Sequence, residues 1–333
     1  MPDSAPQPAR RPAPRLLDLH PPTGDFLEEV RAGLDAPRRT LPCKYLYDAK
    51  GSQLFDGITE AKDYYPTRTE VGILRANMDD IVESLQDDPL VIEFGSGNSS
   101  KTHLLLDNLP DAAGYVPVDI SRDHLVDAAA RLQSQYPELE ILPVCADFTE
   151  RIPIPNPEQK PGHRVVFFPG STIGNFERHE ARELLRTMAD DAGEDGGLLI
   201  GVDLEKDPSI LERAYDDSEG VTAAFNLNLL ERINRELEGT FDLDAWRHRA
   251  IWNPDEARIE MHLQSLRDQT VSVAGREHTF TEGETIHTEN SHKYSVDRFA
   301  EMARGAGFRL ERVWTDADAL FSVHLYWVDR DAA

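Results

Sequence analysis

The chain has 333 residues, 40% of them hydrophobic, enough to fill the core of one large domain or two ordinary ones. Its 61 acidic against 35 basic residues give a formal net charge of −26, and such a surface repels nucleic acid, whose phosphates are bound by clustered Lys and Arg. No apolar run approaches the ~18 residues of a membrane span, the first residues lack the apolar stretch of a secretory signal, and Cys43 and Cys145 stand too far apart for a zinc or disulfide framework.

A soluble protein of the reducing cytoplasm is therefore expected. Residues 1–15, rich in Pro, Ala and Arg, read as a disordered tail. From about residue 90, short apolar runs alternate with helical patterns. The runs cover 89–94, 115–120, 139–148, 163–170 and 197–204. This alternation predicts βαβ units and a doubly wound parallel sheet. The next 90 or so residues exceed what a minimal sheet needs. They hold a helical pattern over 220–237 and strand-like runs over 258–266 and 269–275. A helix is predicted within 296–308, followed by strand-like runs over 309–316 and 320–328, close enough for an antiparallel hairpin. Parallel strands first and a terminal hairpin last is the order of a class I methyltransferase sheet. The expected division is a Rossmann-like methyltransferase domain from 69–204 and 293–333. A discontinuous substrate-binding domain, from 16–68 and 205–292, would cover the carboxyl ends of the strands, where open α/β sheets bind ligands.

The stretch VIEFGSGNSSKT follows a predicted strand and opens a helix, with Gly95 and Gly97 permitting a tight turn. Ser100 stands where a dinucleotide fingerprint needs its third glycine. Asp119 closes the second run, and a carboxylate there accepts from ribose hydroxyls in both NAD and adenosyl proteins. Asp147 and Phe148 close the third run, suited to the adenine amino group and ring. Three such sites at successive strand ends, with the terminal hairpin, favour S-adenosylmethionine over NAD. Lys101 reads either as a cation for the methionyl carboxylate or as a solvated helix residue. His103, His262 and His292 have no partner spacing that argues for metal or catalysis, and no metal is expected.

The basic residues are lopsided, with 28 Arg and only 7 Lys. Acid excess with scarce Lys suggests a protein kept soluble in concentrated salt, where self-repulsion is screened.

Several strings are too specific for scaffold: YYPTRTE, GSTIGN, AYDD, VTAAFN, RIEMHLQS and TENSHKYS. Together they closely resemble the histidine Nα-methyltransferases of ergothioneine biosynthesis, in order and without large gaps over about 41–328. The resemblance implies three successive methyl transfers from S-adenosylmethionine to the α-amine of L-histidine, through mono- and dimethyl intermediates, to hercynine. It implies a histidine pocket of Tyr64, Gly170, Asn175, Tyr215, Met261, Glu289 and Ser291. The matching cofactor positions are Gly95, Lys101, Asp119, Asp147 and Phe148. Tyr47 and Phe55 match residues near the active centre, and Tyr47 and Tyr64 are candidates for steering the amine's proton. Asn175 and Tyr215 are neutral donors suited to a carboxylate. Glu289 and Ser291, two apart, share a side if their segment is extended, where they can engage the imidazole nitrogens. Asn290 stands where the family suggests a small apolar residue, and alternation should turn it away. A monomer is expected, since no long apolar stripe is left over.

Overall fold

The computed structural model describes residues 14–20, 25–86, 88–96 and 100–332. Most of the expected tail, residues 1–13, and Gly97 lie outside them. The strands in chain order are β1 (Leu17–Asp18), β2 (Pro89–Phe94), β3 (Gly114–Asp119), β4 (Val144–Cys145), β5 (His163–Phe168), β6 (Gly197–Asp203), β7 (Trp246–Asn253), β8 (Arg258–Ser265), β9 (Gln269–Val273), β10 (Arg276–Phe280), β11 (Thr285–His292), β12 (Phe308–Thr315) and β13 (Phe321–Val328).

Eight of them form one sheet in the order β1-β4-β3-β2-β5-β6-β13-β12. The first six positions are joined in parallel, and β13 runs antiparallel to both β6 and β12. Apart from β1, this is the class I methyltransferase order. Strand β2 is buried along its whole length because helices cover both faces, which is why its sequence is apolar except for Glu93, whose carboxylate accepts from the Thr102 and Tyr115 hydroxyls at 2.6 Å each. Leu90, Ile92 and Phe94 face one core, with Leu184, Leu185 and Met188 of helix Arg178–Ala192. Val91 faces the other, with Ile73, Leu74, Ile81 and Leu105. The chain moves outward from β2 to β3 and β4, then returns to β5 on the other side of β2. The switch point thus lies at the carboxyl ends of β2 and β5, where a crevice for ligands forms.

Two edge features differ from expectation. The run over 139–148 contracts to β4 and a single bridge from Ile141 to Tyr115. Pro143 lacks the N–H that a continuous ladder needs. Its carbonyl instead accepts from Leu17 at 2.9 Å, and Cys145 accepts from Leu19 at 3.0 Å. Leu17–Asp18, expected with the substrate domain, thereby covers an edge of the methyltransferase sheet that would otherwise lie open.

The N-terminal segment and the insert share a separate hydrophobic cluster. Val30 and Leu34 of helix Phe26–Asp35, Ile58 of helix Ala49–Glu60, and Phe225 and Leu229 of helix Val221–Glu236 pack there against Ile259, Met261 and Leu263 of β8. The insert's own sheet has the order β11-β8-β7, with β9 and β10 as a separate hairpin. Strands β7 and β10 were not among the predicted runs, and β11 was considered only on the condition that its segment is extended. Backbone bridges from Thr40 to His287 and from Leu204 to Tyr294 join the pieces. No helix among the described residues is long and apolar enough to cross a membrane.

Candidate active site

The carboxyl ends of β2, β3 and β4 carry a glycine and two carboxylates. Gly95 has φ +71°, a conformation strained for any other residue, and its N–H donates to the Val118 carbonyl at 2.9 Å. Asp119 accepts from the Ser121 amide at 2.8 Å through one oxygen, and burial raises its carboxyl above the usual range. Asp147 accepts from the Thr149 amide and hydroxyl at 2.9 and 2.6 Å, again through one oxygen. Among the described residues each carboxylate keeps an oxygen for a ligand. Phe148 stacks on Phe94, with centroids 5.6 Å apart and planes at 14°, and a Cβ on Gly95 would stand 3.7 Å from its ring. Carboxylate acceptors and an aromatic wall around a bare glycine suit an adenosyl group.

Lys101 lies within reach of this crevice, but its ammonium is 2.6 Å from the buried carboxylate of Glu70. Glu70 also accepts the Gly170 amide at 2.9 and 3.0 Å. Gly170 has φ +84°, and a Cβ there would meet the Lys101 Nζ at 3.2 Å. The structure therefore ties Gly170, expected on the histidine side, to Lys101 on the cofactor side through one carboxylate.

The second half of the site depends on a bulge. The β11–β8 register shifts between His287 and Glu289, leaving Thr288 as the extra residue, its hydroxyl donating to the Met261 carbonyl at 3.1 Å. In a regular strand 286, 288 and 290 would share a face. After the bulge Glu289 and Ser291 turn inward instead, opposite Met261 and Ile259 of β8. Asn290 turns to the other face, where its amide donates to Glu177 at 2.9 Å.

Tyr215 ends helix Pro208–Tyr215 and brings its phenol 2.7 Å from the Ser291 hydroxyl. Tyr64 meets the Tyr215 ring edge-on at 6.0 Å. Asn175 ends a tight turn, Thr172–Asn175, pressed so closely on β11 that a Cβ on Gly174 would stand 2.7 Å from the His292 carbonyl. The Asn175 side chain has no polar partner among the described residues. Tyr47 packs edge-on against Phe55 and Phe225 at 5.5 and 5.3 Å. Its residue surface is 38% exposed, yet its phenol end lies near Glu289, Cys43 and Tyr64. Burial and these neighbours push the Tyr47 phenol well above its usual range, and burial does the same to Tyr64. Glu289 is 8% exposed; burial pushes it up to about 7, with Lys293 pulling the other way.

Four charged residues here were not predicted: Glu70, Asp203, Lys206 and Lys293. Asp203, at the end of β6, pairs with Lys206 at 2.6 Å and Lys293 at 2.7 Å, and accepts from the Tyr65 phenol at 2.7 and 2.8 Å. Burial alone would raise its carboxyl, but the two ammonium groups hold it below the usual range. Burial lowers Lys206 to about 8. A signal was present in composition: three of only seven lysines, Lys101, Lys206 and Lys293, lie at this site.

The sequence matches, over residues 26–328, the family described as histidine-specific, S-adenosylmethionine-dependent methyltransferases. The chain belongs to that family. A histidine N-alpha-methyltransferase of Mycolicibacterium smegmatis is 46% identical over 303 residues, covering 89% of this chain and 93% of the relative. Ergothioneine biosynthesis protein 1 of Neurospora crassa is 31% identical, covering 87% of this chain and 33% of its own length. A solved S-adenosylmethionine-dependent methyltransferase from Clostridium acetobutylicum is 12% identical, with 84% of this chain and 98% of that one covered, at a TM-score of 0.44.

This methyltransferase also gathers Glu260, His262 and His287 on the outer face of the β11-β8-β7 sheet, with ligand-type atoms within 4.8 Å of one another. Sequence spacing gave no sign of it, because His287 comes from the neighbouring strand. Burial opposes ionisation of Glu260, but Asn253 and Arg258, at 2.9 and 2.8 Å, hold it at about 2. His287 directs Nε2 to the Glu289 carbonyl at 3.0 Å, so the cluster braces the strand behind the pocket.

Proposed function

We propose that the chain transfers three methyl groups in succession from S-adenosylmethionine to the α-amine of L-histidine, forming hercynine and opening ergothioneine biosynthesis. The observation that carries the reading is the inward pairing of Glu289 with Met261, beside Ser291. A buried carboxylate suits an imidazole N–H, and Phe or Trp would leave it unpaired at a cost of about 1–3 kcal/mol. Ser291 serves the second ring nitrogen, Asn175 and Tyr215 the carboxylate, and Met261 an adaptable apolar wall. Tyr64 and the backbone at Gly170 complete the lining.

Gly95, Lys101, Asp119, Asp147 and Phe148 would hold S-adenosylmethionine, which supplies an electrophilic methyl group when bound. The chain's own part is alignment and proton handling. Histidine's amine attacks only when neutral, so a proton leaves before each transfer. Tyr47 and Tyr64 steer that proton in this reading. Their raised pKa values keep both phenols protonated near neutral pH, which supports a relay to water over a role as base.

The shared core of residues 26–68 and the insert supports a substrate-binding domain of 16–68 and 205–292, less the edge strand β1. The same reading has the protein acting as a cytoplasmic monomer without nucleic-acid partners, in keeping with its charge of −26. Mass spectrometry after incubation with S-adenosylmethionine and each of the twenty amino acids, in low and high salt, tests the proposal. Histidine alone should gain methyl groups. Methylation of another amino acid would overturn the pocket, and no methylation at any salt would overturn the activity.

A further inference from the structure

Lys293 is fully buried, which lysine almost never is without partners. Its three N–H bonds are all used, on Asp203 at 2.7 Å, the Tyr215 phenol at 2.8 Å and the Ser291 hydroxyl at 2.7 Å. Two of these acceptors are groups assigned above to the substrate. They also bond each other at 2.7 Å.

Each hydroxyl has one proton and two lone pairs. Lys293 occupies a lone pair on each oxygen, so neither hydroxyl can donate back towards it. One proton lies between the two oxygens, and the other is left for the cleft. When a ligand brings acceptors, opening the mutual bond frees both protons without moving either oxygen. Without the ammonium, the Asp203 carboxylate would compete for those protons.

Charge acts in the same sense. With Glu289 protonated, Lys293 and Lys206 against Asp203 leave one net positive charge beneath the pocket. A free amino acid brings the carboxylate that answers it. The groups facing Lys293 are Asp203 of β6, Lys206 just after it, Tyr64 and Tyr65 at the start of helix Tyr65–Ala76, Tyr215 on its helix, and Glu289, Ser291 and Tyr294 of its own segment.

We propose that Lys293 is a positioning residue for substrate recognition: it fixes the Tyr215 and Ser291 hydroxyls as donors towards histidine and supplies the buried charge that the substrate carboxylate answers. This rests on the histidine pocket proposed above. It is tested by steady-state kinetics and pH profiles of Lys293→Met, with Lys293→Gln in reserve should the first variant fail to fold. The KM for histidine should rise roughly 10- to 100-fold, as for loss of a charged hydrogen-bond donor. The KM for S-adenosylmethionine should not change. The rising limb of kcat/KM should move to higher pH, because Glu289 loses the neighbour that favours its ionised form. Lys293→Gln keeps N–H donors without charge, so it should recover part of the KM and still show the shifted limb. An unchanged histidine KM would overturn the inference. So would a joint rise of both KM values with the limb fixed, the pattern of a general structural lesion. Failure of the wild-type protein to methylate histidine would instead strike at the pocket reading, and is seen before any variant is made.

Discussion

Replacing Glu289 by Gln sets stability and catalysis against each other. Glu289 is 8% exposed, and burial pushes its carboxyl up to about 7. In the unfolded chain it titrates near the ordinary Glu value of about 4.3. The folded state therefore holds the proton more tightly, so this group's contribution to stability is fully present below the unfolded value and is lost as pH rises through about 7. The difference amounts to roughly 4 kcal/mol. Gln cannot ionise, so the ligand-free Glu289→Gln protein should exceed wild type by something on the order of 4 kcal/mol at alkaline pH, with the gap closing towards acid. Catalysis runs the other way. An ionised Glu289 gives the imidazole N–H a charge-assisted bond, ~1 kcal/mol stronger than a neutral amide would. The variant's kcat/KM for histidine should fall about 5- to 10-fold at alkaline pH and converge on wild type at acid pH, where Glu289 is itself neutral. The limb near 7 should disappear. Denaturant melts and steady-state kinetics across pH supply both readouts. A variant less stable than wild type at alkaline pH, or one that keeps the limb, refutes the reasoning.

Asp119→Asn keeps the Ser121 bond available but removes the charge offered to the ribose, so the KM for S-adenosylmethionine should rise about 10-fold with that for histidine unchanged; equal rises would contradict a cofactor role. With a net charge of −26, the melting temperature should climb as salt screens self-repulsion, and a fall in thermal melts would end that reading.

The central strands were legible because both faces of β2, β3, β5 and β6 are covered, which forces nearly continuous apolar runs. The edges were not. Whether Leu17–Asp18 pairs with β4 depends on what lies beside Pro143 in space, and nothing local records it. Glu289 and Ser291 share a face as their spacing suggests, but the bulge at Thr288 that aims that face inward is a pairing of two strands and leaves no mark in TENS itself. A lysine among polar residues, as Lys293 is in TENSHKYS, carries no local sign of burial. Its burial rests on Asp203 and Tyr215, 90 and 78 positions away in sequence. Asn290 behaves as alternation suggests only because the bulge precedes it.

The most direct test is to follow wild-type protein with L-histidine and S-adenosylmethionine whose transferred methyl carries carbon-13, by nuclear magnetic resonance. A single trimethylammonium signal bonded to the α-nitrogen, building through mono- and dimethyl species, is the predicted result. A label on an imidazole nitrogen, or a reaction that ends at one methyl group, would contradict a pocket that grips the ring through Glu289 and Ser291 and leaves the amine free to react.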